Sequence, residues 1–175
     1  GTMNRNGSIL VIDDEEIMRE ILDALLTRQG YGVRLAENAA QGLELARTMS
    51  FDAAVVDMMM PGMDGISALD ELKKIDDDLP VLMITAFASV ENAIAAIKRG
   101  AFDYITKPFK NDEVLGVLRN AVAQRRLITE NRALRQNLQA HQNRFGEIIG
   151  RSPRMRQVFD LIIQAAPSRT TILIN

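Results

Sequence analysis

Short apolar runs alternate with amphipathic stretches along the first two thirds of the chain. SILVID (8–13) is β-branched and almost free of polar residues, as a buried parallel strand should be. EEIMREILDALLTRQG (15–30) instead spaces Ile17, Ile21, Leu22, Leu25 and Leu26 along a helical face, with Gly30 as its stop. YGVRLA (31–36) reads as a strand. NAAQGLELARTMS (38–50) reads as a helix capped by Asn38, with Ala39, Leu43 and Ala46 on one side. The alternation continues: FDAAVVD (51–57) is a strand, GISALDELKKID (65–76) a helix and PVLMITA (80–86) a strand. SVENAIAAIKRG (89–100) is then a helix, AFDYIT (101–106) a strand, and a long helix opens near Asn111.

Five strands alternating with five helices predict an α/β fold, a doubly wound parallel sheet, because right-handed crossovers place helices on both faces. About 120 residues are enough to bury a core. Phe102 and Phe109, flanking the fifth strand, are expected in it. No internal repeat or low-complexity tract is visible.

The long helix meets no proline or strong breaker up to about His141. Its first part is expected to pack on the sheet. Further on, Leu127 and Leu134 are seven apart, as are Asn131 and Leu138. This makes a d–a–d–a seam with a polar Asn at an a position, which favours an in-register dimer. The seam covers about two heptads, fewer than the three or four that define a coiled coil, and the alternative is a lone charged linker helix. Beyond it, SPRMRQVFDLIIQAA predicts a helix capped at Ser152, with Pro153 in its first turn and Met155, Val158, Phe159, Ile162 and Ile163 apolar. TTILIN (170–175) predicts a strand. These last residues are too few for a core of their own and read as the opening of a further domain.

Composition narrows the setting. The chain has 175 residues, 47% hydrophobic and 25% charged, an ordinary soluble balance. No apolar run approaches the roughly 18 residues of a membrane span, and the start lacks a signal-peptide core. Gly1 and Thr2, before Met3, read as an expression remnant. There is no cysteine, which excludes disulfides and thiolate metal sites and agrees with a cytoplasmic location. The net charge of −2 hides an asymmetry: residues 1–116 hold 20 acids and 11 bases, and residues 117–175 hold 3 acids and 10 bases. That excess marks either a solvated basic helix or a contact with an acidic partner or nucleic acid.

In an open α/β sheet, ligands bind where strands end at their carboxyl edge. Asp13 and Asp14 follow the first strand, Asp57 ends the third, Thr85 the fourth, and Lys107 follows the fifth. Each alone has a plain explanation: an Asp is a turn residue, a Thr fits a strand, a Lys is solvated. Together they bring carboxylates, a hydroxyl and a cation to one rim. Carboxylates crowded within about 4 Å repel by a few kcal/mol. A hard divalent cation relieves that repulsion, and Mg²⁺ suits it because it keeps coordination sites for phosphate oxygens. Asp57 is the natural nucleophile and Lys107 the compensating charge for a transferred phosphoryl group.

ILVIDDE, VVDMMMPGMDG, VLMITAF and DYITKPF, in this order and spacing, resemble the motifs of response-regulator receiver domains over residues 8–125. The resemblance implies a flavodoxin-like sheet of order 2-1-3-4-5. It implies that Asp57 accepts a phosphoryl group from a sensor histidine kinase. It implies Mg²⁺ bound directly by Asp14 and Asp57, through water by Asp13, and by the Met59 carbonyl. Thr85 becomes the switch hydroxyl, Tyr104 the switch aromatic and Lys107 the phosphoryl contact, with a Lys107–Pro108 bond that can be cis. A regulatory receiver is implied, not an enzyme, beyond self-phosphorylation from small donors and self-dephosphorylation.

The tail, IIGRSPRMRQVFDLIIQAAPSRTTILIN, resembles the opening of the AAA+ domain in sigma-54-dependent activators of the NtrC/DctD type. This implies a helical linker over 126–143 and an ATPase fragment over 144–175 without a Walker A loop, since no G-x-x-x-x-G-K-[ST] occurs. Contacts with sigma-54 RNA polymerase and DNA would then belong to absent domains, and phosphorylation would act through a homodimer. Two other readings compete. A haloacid-dehalogenase-like phosphatase also uses a strand-end Asp but needs an acid two residues on, where Met59 stands. A purely structural dimerisation module would leave the acids without chemistry. His141, the only histidine, is expected at the surface. Met59 either shields an acyl phosphate from water with its thioether or matters only through its carbonyl; Met58 and Met60 are expected to pack.

Overall fold

The computed structural model describes residues 6–149. Its strands are β1 (Gly7–Ile12), β2 (Tyr31–Ala36), β3 (Ala53–Asp57), β4 (Val81–Thr85) and β5 (Asp103–Thr106). Between and after them come α1 (Glu16–Arg28), α2 (Ala39–Thr48), α3 (Gly65–Ile75), α4 (Val90–Lys98) and α5 (Asn111–Ile149). The strands form one sheet in the order β2-β1-β3-β4-β5, with every neighbouring pair parallel. The chain winds one way from β1 to β2 and the other way from β3 onward. The carboxyl ends of β1 and β3 therefore flank the switch point where such sheets bind ligands.

Alternation along β1 explains its unbroken apolar run. Leu10 and Ile12 join a core with Leu43 of α2 and Leu69 and Leu72 of α3. Ile9 and Val11 face the opposite side, with Leu22 and Leu26 of α1 and Val114 and Leu118 of α5. Both faces are covered there, so Ile9 to Ile12 are all apolar and buried, whereas Arg34 of the edge strand β2 stays exposed. Each fully buried Leu or Ile contributes about 1.5–3 kcal/mol of transfer free energy. Phe102 and Phe109 are half-buried against the α1–α5 core.

Three helices, α2, α3 and α4, start at side-chain caps: Asn38 accepts from the Gln41 N–H, Asp64 from that of Ser67 and Ser89 from that of Asn92. Three details differ from the sequence pattern. Ile17 and Ile21 lie at helical spacing, yet they are 71% and 44% exposed, and α1 covers the sheet with Leu22 and Leu26. The third strand begins at Ala53, because Phe51 packs into the core and Asp52 turns to accept from the Ser8 N–H at 2.8 Å. The fifth begins at Asp103, after Ala101 has bonded back to Ala96.

The chain divides into two units, residues 1–128 and 129–175, with the division inside α5. Within the first unit, Arg125 holds both carboxylate oxygens of Asp76, at 2.9 and 2.6 Å, and fastens α5 to the end of α3. Leu127, Leu134 and Leu138 are 66%, 63% and 62% exposed, and Asn131 and His141 are exposed. No helix among the described residues is long and apolar enough to cross a membrane. The helix predicted from Ser152 and the strand TTILIN lie outside the described residues.

Candidate functional site

The site is built from the carboxyl ends of β1, β3, β4 and β5. As β1 ends, the Asp13 N–H bonds the Ala36 carbonyl at 3.1 Å and prolongs the ladder with β2. The Asp13 carboxylate turns back to accept from the Glu15 N–H at 2.9 Å. Arg19, one turn into α1, donates to the Asp13 carbonyl at 2.8 Å and fixes the turn from below. Asp13 is buried and Asp14 is exposed.

Asp57 is the last residue of β3 and is buried. Its Oδ1 accepts from the Met59 N–H at 3.1 Å. The loop beyond is closed by Met58 N–H to the Ile84 carbonyl and Gly65 N–H to the Met58 carbonyl, at 2.9 and 3.0 Å. Gly65 is required there, because a Cβ would come within 2.4 Å of Met58 Cα and 2.5 Å of the Asp57 carbonyl oxygen. Met58 and Met60 pack into the core on the α2–α3 side, as expected, whereas the Met59 side chain is 55% exposed.

Carboxylate oxygens of Asp13, Asp14 and Asp57 all lie within 4.8 Å of one another. Lys107 reaches into this group from the end of β5. Its Nζ stands 3.2 Å from Asp13 Oδ2, 3.5 Å from Asp57 Oδ2 and 3.5 Å from Glu15 Oε1. Its own N–H bonds the Thr85 carbonyl at 2.7 Å, and the Lys107–Pro108 peptide is cis. Thr85 is buried, and its Oγ1 accepts from the Phe87 N–H at 3.1 Å. Tyr104 is half-buried against the α2–α3 core, and its buried hydroxyl has no hydrogen-bond partner among the described residues.

Charge is unbalanced here. Burial, followed by the neighbouring Asp13, pushes the Asp57 carboxyl up to about 6, against the pull of the Met59 N–H and Lys107. Burial alone would lower the Lys107 pKa, but Asp13 and Asp57 outweigh it and hold the ammonium protonated. The donor set is all oxygen, and the ligands of one Mg²⁺ at 2.0–2.1 Å would lie about 3–4 Å apart. The three carboxylates thus fit a small hard cation.

The structure brings together the side chains of Asp13, Asp14, Asp57 and Lys107, and Thr85 joins them through its carbonyl, bonded to the Lys107 N–H. Tyr104 lies on β5, which pairs with β4, and Met59 adjoins the group through its N–H. Leu127, Asn131, Leu134 and Leu138 are on α5 and take no part in it. Three supporting residues carry little signal in the sequence: Arg19, Gly65 and Glu15. Arg19 follows Glu15 by one helical turn, a common spacing. Gly65 sits between an Asp and an apolar helix and reads there as an ordinary helix start.

The family model for the response regulator receiver domain matches residues 9–119. The transcriptional regulatory protein ZraR of Escherichia coli K12 is 40% identical over 171 residues, covering 97% of this chain and 37% of that protein. The chain thus spans little more than a third of this relative's length. NtrX from Brucella abortus, in a crystal structure with ATP, aligns with TM-score 0.69 and 35% identity, over 74% of this chain and 30% of that one. The solution structure of the beryllofluoride-activated NtrC4 receiver domain dimer aligns with TM-score 0.65 and 32% identity, over 67% of this chain and 98% of that one. With an intact acidic rim and this match over its sheet, the chain belongs to the response regulator receiver family.

Proposed function

We propose that Asp57 accepts a phosphoryl group from the phosphohistidine of a sensor kinase. The observation that carries this is one half-buried cation, Lys107, shared between the buried Asp13 and Asp57 beside the exposed Asp14. An Asp57 oxygen bonds to phosphorus while the phosphorus–nitrogen bond breaks and its electron pair stays with the departing imidazole. Asp14 and Asp57 would hold Mg²⁺ directly, with Asp13 assisting through water and the Met59 carbonyl as a further ligand. Bound there, the ion would neutralise charge on the transferred group. Lys107 supplies the second positive charge. The chain acts as an acceptor and switch in the cytoplasm, not as a turnover enzyme. Phosphate uptake from a small acyl phosphate donor with Mg²⁺ tests this, and failure of the folded chain to gain a phosphoryl mass would contradict it.

The switch runs from Thr85 to Tyr104. Thr85 Oγ1 is held by the Phe87 N–H and can exchange that partner for a phosphoryl oxygen. A buried hydroxyl without a partner costs about 1–3 kcal/mol, so Tyr104 has a reason to move once Thr85 does. The exposed leucines at 127, 134 and 138, around Asn131, supply a seam on which two chains associate. The receiver domain dimer reported for NtrC4 favours instead association through the receiver face, the alternative to this seam. Phosphorylation is expected to shift the Tyr104 ring resonances and the sedimentation distribution together, and Thr85→Ala to suppress both. Shifts unaltered by Thr85→Ala would contradict the switch.

The similarity to ZraR continues past residue 119, into the segment that resembles the start of an AAA+ domain. We read the whole protein as a sigma-54-dependent activator whose ATPase, polymerase and DNA contacts lie in further domains.

Met59 bears on the lifetime of the phosphoryl group. Its side chain lies beside the site and offers no hydrogen bond to orient a water. Met59→Asn or Met59→Glu should speed phosphate release by up to about tenfold, equivalent to about 1.4 kcal/mol of barrier. Release unchanged or slower in both variants would show that only the backbone of Met59 matters.

A further inference from the structure

A cavity of about 240 Å³ lies at the opposite edge of the sheet from Asp57. Tyr31, in its wall, opens β2 and pairs with Gly7 at the start of β1, whereas Asp57 closes β3, and these strands run parallel. The apolar lining comes from α5, as Leu115 and Val122. Arg119 and Arg126 also line it, seven residues apart and so about 10.5 Å along one side of the helix. Among the described residues, no acid lines the cavity.

Three other arginines of the first unit pair with acids: Arg47 with Glu44, Arg99 with Asp70 and Arg125 with Asp76. Arg119 and Arg126 have no acidic partner among the described residues. Tyr31 is buried and lines the cavity. Burial raises the pKa of this phenol, while Arg119 and then Arg126 pull it down, so both guanidiniums act on the same hydroxyl.

We propose that this cavity binds a small organic dianion, a phosphate monoester or a dicarboxylate. Its oxyanion groups take Arg119, Arg126 and the Tyr31 hydroxyl, and its body rests on Leu115 and Val122. Two guanidinium forks match a dianion, because a monoanion leaves one of them uncompensated. The volume falls below the roughly 300–1,000 Å³ of sites for drug-sized ligands, which keeps the ligand small.

The chain has two tyrosines, so the Tyr31 ring can be followed by NMR apart from that of Tyr104. Phenyl phosphate and succinate are titrated separately into the full chain without Mg²⁺. A saturable shift of the Tyr31 ring, with Tyr104 unmoved, is expected from at least one probe, and the responding probe identifies the anion class. The double variant Arg119→Gln/Arg126→Gln should weaken binding at least about tenfold, and Tyr31→Phe, followed at the Val122 amide, should weaken it with packing retained. No saturable response to either probe would overturn the proposal. So would unchanged affinity in the double variant, or shifts confined to the amides of Asp57 to Met59.

Discussion

Asp57→Asn should make the chain more stable at pH 7 when Mg²⁺ is removed by a chelator, by about 1–3 kcal/mol. The Asp57 carboxyl is raised from its ordinary 3.8 to about 6, first by burial and then by Asp13. A raised folded-state pKa means that the folded chain holds the proton more tightly than the unfolded chain. Between about pH 3.8 and 6, stability therefore falls as pH rises, and above pH 6 the whole cost of the buried charge is present. Two pH units correspond to nearly 3 kcal/mol, and the weaker attraction of Lys107 for a neutral amide offsets part of it. Urea denaturation at pH 7 and pH 5 measures the difference, which should shrink at the lower pH. A variant less stable than the parent at pH 7 would mean that Lys107 more than compensates the buried charge.

Asp14→Ala should have its main effect on metal. Asp14 is exposed and makes no hydrogen bond among the described residues, so the fold loses little, within about 0.5 kcal/mol. The metal would lose a direct carboxylate ligand. Even indirect supports of metal ligands are worth 10–100-fold in affinity, so a loss of about 100-fold or more is expected. Calorimetric titration of Mg²⁺ into parent and variant checks it. Equal affinity would remove Asp14 from the ligand set.

Much of this arrangement was legible because the physics behind it is periodic. A strand buried on both faces must read as a continuous apolar run, and SILVID does. A parallel sheet then sends strand ends to one rim, so Asp13, Asp57, Thr85 and Lys107 could be grouped before any distance was known. What escaped was contact between positions remote in sequence. Periodicity placed Ile17 and Ile21 on an apolar stripe, but the packing of α1 decided that Leu22 and Leu26 would meet the sheet. The Arg125–Asp76 clamp joins residues 49 apart and leaves no local pattern. Gly65 is needed only because the backbone of Met58 passes beneath it. Met59 could be located beside the acceptor, but not the 55% exposure of its side chain.

The central claim is that Asp57 carries the phosphoryl group. Parent and Asp57→Asn chains are incubated with acetyl phosphate and Mg²⁺, and intact mass and peptide fragmentation are recorded without delay. The account predicts one added phosphoryl group on the parent, located on the peptide containing Asp57, and none on the variant. A variant labelled to the same extent, or an adduct on any other residue of the parent, would contradict it.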